Sequence, residues 1–230
     1  MSNDAQPSAK DAGRGPTASI DDGAAPKEAN DVKEHAIIDA ARQSFLAKGF
    51  DAASMDEIAL LANVSKRTVY NRFRSKEALF AAAILTTCQE ILPDNFAELE
   101  AHLPPFDLLE TLARRFVEGV FSPEAVALRR IAAFEAQRRP ELGKAFLDNG
   151  PRMMVKTCVP ILKRLAEKAN IAVNDEEDDF EAALWQLGAL LTEPLHTHVL
   201  MGQVPDDLDA QIDRQIQSGL MAFLKLHKVK

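Results

Sequence analysis

From residue 32 onward, apolar residues recur at three- and four-residue spacing, and the breaks fall at Ser, Asn, Gly and Pro. Ile37, Ile38, Ala41, Phe45 and Leu46 form one amphipathic stripe. It predicts a first helix over 32–48, closed by Gly49 as a C-terminal cap. Ser54 followed by Glu57 is a capping box, in which the serine accepts from the Glu57 amide and the Glu57 carboxylate reaches back to the Ser54 amide. Ile58, Leu61 and Ala62 give the helix so opened one buried face. Asn63, which tolerates a left-handed backbone, ends it. Ser65 caps the next helix, where Val69 and Phe73 lie one turn apart. Ser75 caps a third, with Glu77 in its first turn, and its apolar positions run through Leu79, Phe80, Ala83, Ile84 and Ile91 to Pro93. Beyond residue 94 the pattern predicts helices at 106–121, 123–138, 140–148, 150–169, 176–201 and 206–227. No strand-like alternation of useful length occurs, so the fold class is all-α.

Residues 1–31 stand apart, being rich in Ala, Asp, Gly, Pro, Ser and Asn with Ile20 the one large aliphatic residue. Such a segment cannot bury enough surface to offset its ordering entropy, and it reads as a disordered leader. Its three basic and six acidic residues make it a poor arm for gripping DNA. The remainder divides into 32–80 and 81–230, joined by the helix that Ser75 opens.

Charge changes the picture at one place. The 230 residues carry a net charge of −8, yet between Val64 and Lys76 there are five basic residues and no acidic one. These are Lys66, Arg67, Arg72, Arg74 and Lys76, with Thr68, Tyr70 and Asn71 among them. A helix that buries Val69 and Phe73 points most of these groups at solvent, and a local basic cluster on an acidic body fits a polyanion. A short helix, a tight turn and a second helix rich in donors is the geometry that enters the DNA major groove. By role, Lys66, Arg67, Thr68 and Asn71 are candidates for base edges. Tyr70, Arg72 and Lys76, with the capped amides at Ser54 and Ser65, are candidates for phosphates.

From Ile37 to Phe80 the chain resembles the DNA-binding domain of the TetR family of bacterial transcriptional regulators. The resemblance rests on Ala41, Phe45, Gly49-Phe50, Ser54 and Ile58-Ala59. It rests above all on Val64-Ser65, Thr68-Val69-Tyr70, Phe73, Lys76-Glu77 and Leu79. Asn63 stands where Gly is common in the family, and Arg67 where a small residue is common. Arg139-Pro140-Glu141-Leu142, Phe146 and Gly150-Pro151 look like the C-terminal domain of the AefR-related subgroup. The resemblance implies a dimer formed through a four-helix interface, a C-terminal cavity for a small apolar effector, and a linking helix after Ser75 that transmits between the two. Residues 180–201 and 208–224 are too apolar to be covered on one face only, which agrees with a homodimer; Leu220 and Phe223 are candidate interface positions. The large soft residues Phe116, Phe134, Met153, Met154 and Trp185 are candidates for the cavity wall.

Little suggests chemistry. His196 and His198 are two apart and do not share a helical face; Glu193 precedes His196 by three, without a third ligand in view, so no metal is expected. No phosphate loop, nucleophile elbow or dinucleotide fingerprint occurs, so neither a catalytic residue nor a cofactor is expected. Cys88 and Cys158 do not make a disulfide framework and suit the cytoplasm. No membrane span and no secretory signal are present. The reading is a cytoplasmic homodimeric repressor, associated with the nucleoid when bound to a palindromic operator, and released by a small-molecule effector. The alternatives are an all-α carrier or enzyme that uses the C-terminal cavity, and an activator of the same build.

Overall fold

A computed structural model of the chain describes residues 24–93, 95–173 and 177–227. Twelve α-helices make up its elements among the described residues. The first, α1 (Ala24–Ala52), starts well before residue 32, so the disorder expected over 24–31 gives way to helix; residues 1–23 lie outside the described residues. The reason is local. The segment from Ala24 to Ala29 is made largely of good helix formers with a proline in the first turn. One turn further on, Asn30 and Glu34 are held by Arg72 of α3. Near its end α1 is interrupted at Gly49 (φ 77°), where the left-handed backbone that glycine alone adopts freely turns Phe50 back onto the helix.

The three serine caps form as the sequence predicts. Ser54 opens α2 (Met55–Leu61), Ser65 opens α3 (Lys66–Arg72), and Ser75 opens α4 (Lys76–Gln89). Their hydroxyls accept from the amides of Glu57, Thr68 and Ala78 at 3.0–3.1 Å. The reciprocal half of the capping box is absent, because the Glu57 carboxylate instead takes the ammonium of Lys48 at 2.6 Å. Asn63 adopts φ 52°. Its amide bonds Leu60 O and that of Val64 bonds Ala59 O, which together close α2 as a Schellman turn. Phe45, Phe50 and Phe80 pack with ring centroids 5.3–5.7 Å apart and clamp α1 to α4.

The remaining helices are α5 (Phe96–His102), α6 (Pro105–Phe121), α7 (Pro123–Glu135), α8 (Pro140–Asn149), α9 (Pro151–Ala169), α10 (Glu177–Thr192), α11 (Leu195–Leu200) and α12 (Leu208–Leu226). Two differences from the predicted spans stand out. The short α5 has neither a side-chain cap nor a buried residue, so little in its pattern marks it. The apolar run 176–201 breaks at Glu193-Pro194 into α10 and α11.

Apolar residues gather in two clusters. The C-terminal one joins α6, α9, α10 and α12. The N-terminal one is built from α1 to α4, but it also contains Leu128 and Ala132 of α7 and Leu142 of α8. The Arg139-Pro140-Glu141-Leu142 motif is therefore a joint: Leu142 is fully buried beneath α1 and α4, and Arg139 pairs with Asp51 of α1 at 2.7 Å while lying 5.5 Å from the Phe50 ring. On another side of the joint Arg42 of α1 binds Glu124 of α7 and, at 2.8 Å, Glu90 just past α4. The Glu124 carboxylate, seconded by Glu90, holds this guanidinium above its already high pKa.

Candidate nucleic-acid interface and interior cavity

Helical periodicity sorts the side chains of α3. Val69 is fully buried, with Phe73 beside it at the helix end. Opposite them, on the outer face, lie Arg67, Tyr70 and Asn71, all exposed, and Arg74, also exposed, follows in the turn after the helix ends. Arg67 and Arg74 have no carboxylate within 4 Å among the described residues. The candidates at the flanks fare differently. Lys66 is exposed and pairs with Asp56 of α2 at 2.5 Å, a surface contact that a phosphate can displace at little cost. Thr68 is half buried, with its hydroxyl 2.7 Å from that of Ser65, so it completes the cap and does not face outward.

Two of the phosphate candidates have partners within the protein. The Arg72 side chain is only 13% exposed and is tied to Glu34 at 2.5 Å and to Asn30. Lys76 donates to the carbonyls of Phe50, Asp51 and Ala53 at 2.6, 3.1 and 2.9 Å, and its ammonium sits 4.6 Å from the Phe50 ring. All three donors of Lys76 thus close the open carbonyl end of α1. Arg74, absent from the candidates chosen by sequence, is exposed and has no such partner among the described residues.

The second feature is a cavity of about 370 Å³ lined mainly by α4, α6, α7, α9 and α10, with Phe146 of α8 and His196 of α11. Phe116, Met154 and Trp185 line it, with Trp185 45% exposed at its edge. Phe134 and Met153 do not. Phe134 is 66% exposed on the outside of α7 beside Arg138, and Met153 faces the outer groove near Asp148 and Lys156. Apolar type alone does not say which way a residue turns; Met153 and Met154 are neighbours and point apart.

The cavity has a polar corner that was not read from sequence. Arg129 of α7 places Nη1 2.8 and 3.1 Å from the two ring nitrogens of His196, which is buried under an edge-on contact with Phe121. Burial lowers the pKa of Arg129 and, aided by the Arg129 charge, that of His196. Cys88 and Cys158 also face the cavity, and burial pushes each thiol up to about 11, which leaves them protonated and unreactive near neutrality. His198 is exposed, away from this corner. No group of three potential metal ligands converges among the described residues, and none of the helices described is long and apolar enough to cross a membrane.

A capped helix-turn-helix that presents a basic outer face, set on a helical bundle with an interior cavity, defines a class of DNA-binding regulatory proteins. The comparisons place the chain within it. Residues 37–83 match the bacterial regulatory proteins of the tetR family, and residues 107–228 match the AefR-like transcriptional repressor C-terminal domain. The chain belongs to the TetR family of transcriptional regulators. It is 34% identical over 123 residues to the HTH-type transcriptional regulator BetI of Rhizobium meliloti, a match that covers 53% of this chain and 61% of that protein. Among solved structures it resembles the flavonoid-responsive regulator FrrA, at 34% identity and a TM-score of 0.63 over 84% of this chain and 96% of that one. A protein of Mesorhizobium loti assigned to the same family superimposes with a TM-score of 0.70 at 26% identity, over 86% of this chain and 97% of the other.

Proposed function

We propose that this TetR-family regulator is a cytoplasmic repressor that binds a palindromic operator as a homodimer and is released when a small molecule fills the interior cavity. In this reading residues 32–80 bind DNA, and 81–230 dimerise and hold the effector. The observation that carries the reading is the outer face of α3, where Arg67, Tyr70 and Asn71 stand exposed, with Arg74 exposed in the turn just beyond it. Asn71 and Arg67 fit base edges, and Tyr70, Arg74 and the displaceable Lys66 fit phosphates. A single such helix rarely gives tight specific binding, whereas a two-fold pair reads two half-sites one helical turn apart.

The partner surface is the outer side of α10 and α12. Trp185 and Met221 are exposed there, and Leu220 and Leu224 are partly buried. Phe223, expected at this interface, is instead fully buried inside the subunit, so it serves the core. The apolar cavity supports a response to a small molecule, as does the printed description of FrrA as flavonoid-responsive. Relatives named as regulators favour this reading over an enzyme or carrier.

The test is a titration of the purified protein with labelled duplexes from the DNA beside its own gene. Affinity falls steeply with salt, and Arg67→Ala costs about 1–3 kcal/mol on the specific fragment with little change on random DNA. Absence of any sequence-specific, salt-sensitive fragment would return the carrier reading to first place.

A further inference from the structure

The wall of the cavity is apolar over most of its area, and it contains one cation whose charge the fold leaves unmatched. Every other half-buried arginine among the described residues holds a carboxylate: Arg42 with Glu90 and Glu124, Arg72 with Glu34, Arg114 with Asp213, Arg139 with Asp51, and Arg164 with Glu100. Arg129 has no carboxylate within 4 Å among those residues. Its partners are neutral or nearly so. The Phe146 ring lies 5.8 Å away, and burial, together with the Arg129 charge, lowers the pKa of the His196 imidazole and so disfavours its charged form.

The one acid on the wall, Glu193, favours the Arg129 charge through space but makes no ion pair with it among the described residues. Glu193 is 45% exposed, its Oε2 accepts from Thr197 at 2.6 Å, and its Oε1 reaches only to 3.7 Å from His196 Nδ1. Solvent screens it, while Arg129 looks into a low-dielectric space. Both contacts to His196 use Nη1, so the Nη2 and Nε donors of Arg129 are uncommitted among the described residues. An uncompensated cation in an apolar cavity is costly, and the cost is relieved when an anion enters.

We infer that the cavity takes an amphipathic organic anion: an apolar body that ends in one acidic oxygen group. The anionic end meets the guanidinium fork of Arg129, and the body lies against Phe116, Met154, Leu162 and Trp185. A volume near 370 Å³ limits the body to a medium-chain aliphatic or a one- to two-ring aromatic skeleton. This rests on the reading of the cavity as the effector site and gives that effector a chemical class.

The test uses the full-length protein and matched pairs of acid and primary amide: octanoate, decanoate and dodecanoate, and 3-phenylpropanoate, each against its own amide at pH 7.5. Quenching of Trp185, the single tryptophan, reads the affinity. At least one acid binds tenfold or more tighter than its amide, and Arg129→Met removes that preference while leaving the amide within threefold. If no acid in the panel outbinds its amide, the inference is wrong, and this comparison needs only the wild-type chain. Retention of the preference in a folded Arg129→Met protein overturns it as well. Operator affinity measured in the same samples separates the two readings. An acid held through Arg129 that leaves operator binding unchanged removes the release mechanism and leaves this inference standing.

Discussion

Lys76 lies in the most basic stretch of the chain, yet it commits its charge to the backbone of another helix. Its ammonium bonds three carbonyls at the end of α1 and sits beside Phe50. Those carbonyls belong to the turn that Gly49 makes, where helical bonding is already broken. Hydrogen bonds to a charged donor contribute roughly 1.5–3 kcal/mol each when partly buried, but water replaces some of them once the donor is gone. Lys76→Met is therefore expected to lower stability by about 1–3 kcal/mol in total. The slope of log affinity against log salt stays at the wild-type value, because no phosphate contact is lost. Denaturant melts and DNA titrations at several salt concentrations check both halves. A slope lower by about 0.9 would place Lys76 back on a phosphate. The contrast with Arg67 shows what the sequence could and could not say about the site. Net charge and helical period identify the basic face, and they rightly place Arg67, Tyr70 and Asn71 outside. They do not reveal that Arg72 and Lys76 find partners on α1, because those partners lie about 25 to 40 residues away in the chain.

At the scale of elements, most helices were legible because proline, glycine and serine punctuate them: Pro105, Pro123, Pro140 and Pro151 all occupy the first turn of the helix they open. The break between α10 and α11 was not, since Leu195 and Val199 are buried and continue the apolar rhythm beyond Pro194. The pairing of α10 with α12 depends on a feature that periodicity never shows, the distance between two backbones. A Cβ added to Gly219 would lie 2.5 Å from the Leu190 carbonyl oxygen and 2.9 Å from its carbon. Gly219→Ala gains about 1 kcal/mol of helix propensity, but it forces two backbones apart at an overpacking cost of roughly 1–3 kcal/mol. Rigid backbone cannot yield as a side-chain tip does, so the cost wins and the variant is less stable, with Tm falling. Gly188 on α10 is the control. A Cβ there would meet only the Phe116 ring at 3.8 Å, and Gly188→Ala is expected to hold or raise stability. Thermal melts of the two variants side by side decide the matter; a stabilised Gly219→Ala protein would show that the α10–α12 contact is looser than the structure has it.

At the scale of the whole molecule, α4 connects the N-terminal cluster to the cavity. Leu79, Phe80 and Ala83 are core residues of the DNA-binding end, whereas Thr87 and Cys88 line the cavity and Ile84 belongs to both. Thr87 also donates to Glu124 at 3.3 Å, and Glu124 holds Arg42 of α1. A molecule in the cavity therefore touches, within one side chain, groups that fix the position of α1 and α4 against α7. In a dimer the two copies of α3 must lie one DNA turn apart, roughly 34–36 Å. An effector that prefers a dimer with another spacing weakens DNA binding by that preference and no more. A tenfold preference supplies about 1.4 kcal/mol, and a shift from almost fully bound to almost fully free needs about 5.5 kcal/mol. Thermodynamic linkage then requires the reverse effect of equal size: saturating operator weakens effector binding by the same factor. The expected outcome is that an acid bound at Arg129 loses affinity in the presence of operator duplex, read by Trp185 quenching, in the ratio by which it lowers operator affinity. Random duplex at the same concentration produces little change. If a compound reduces operator affinity while its own affinity for the protein is the same with and without operator, it acts somewhere other than through the α4 joint, and the cavity is not the inducing site.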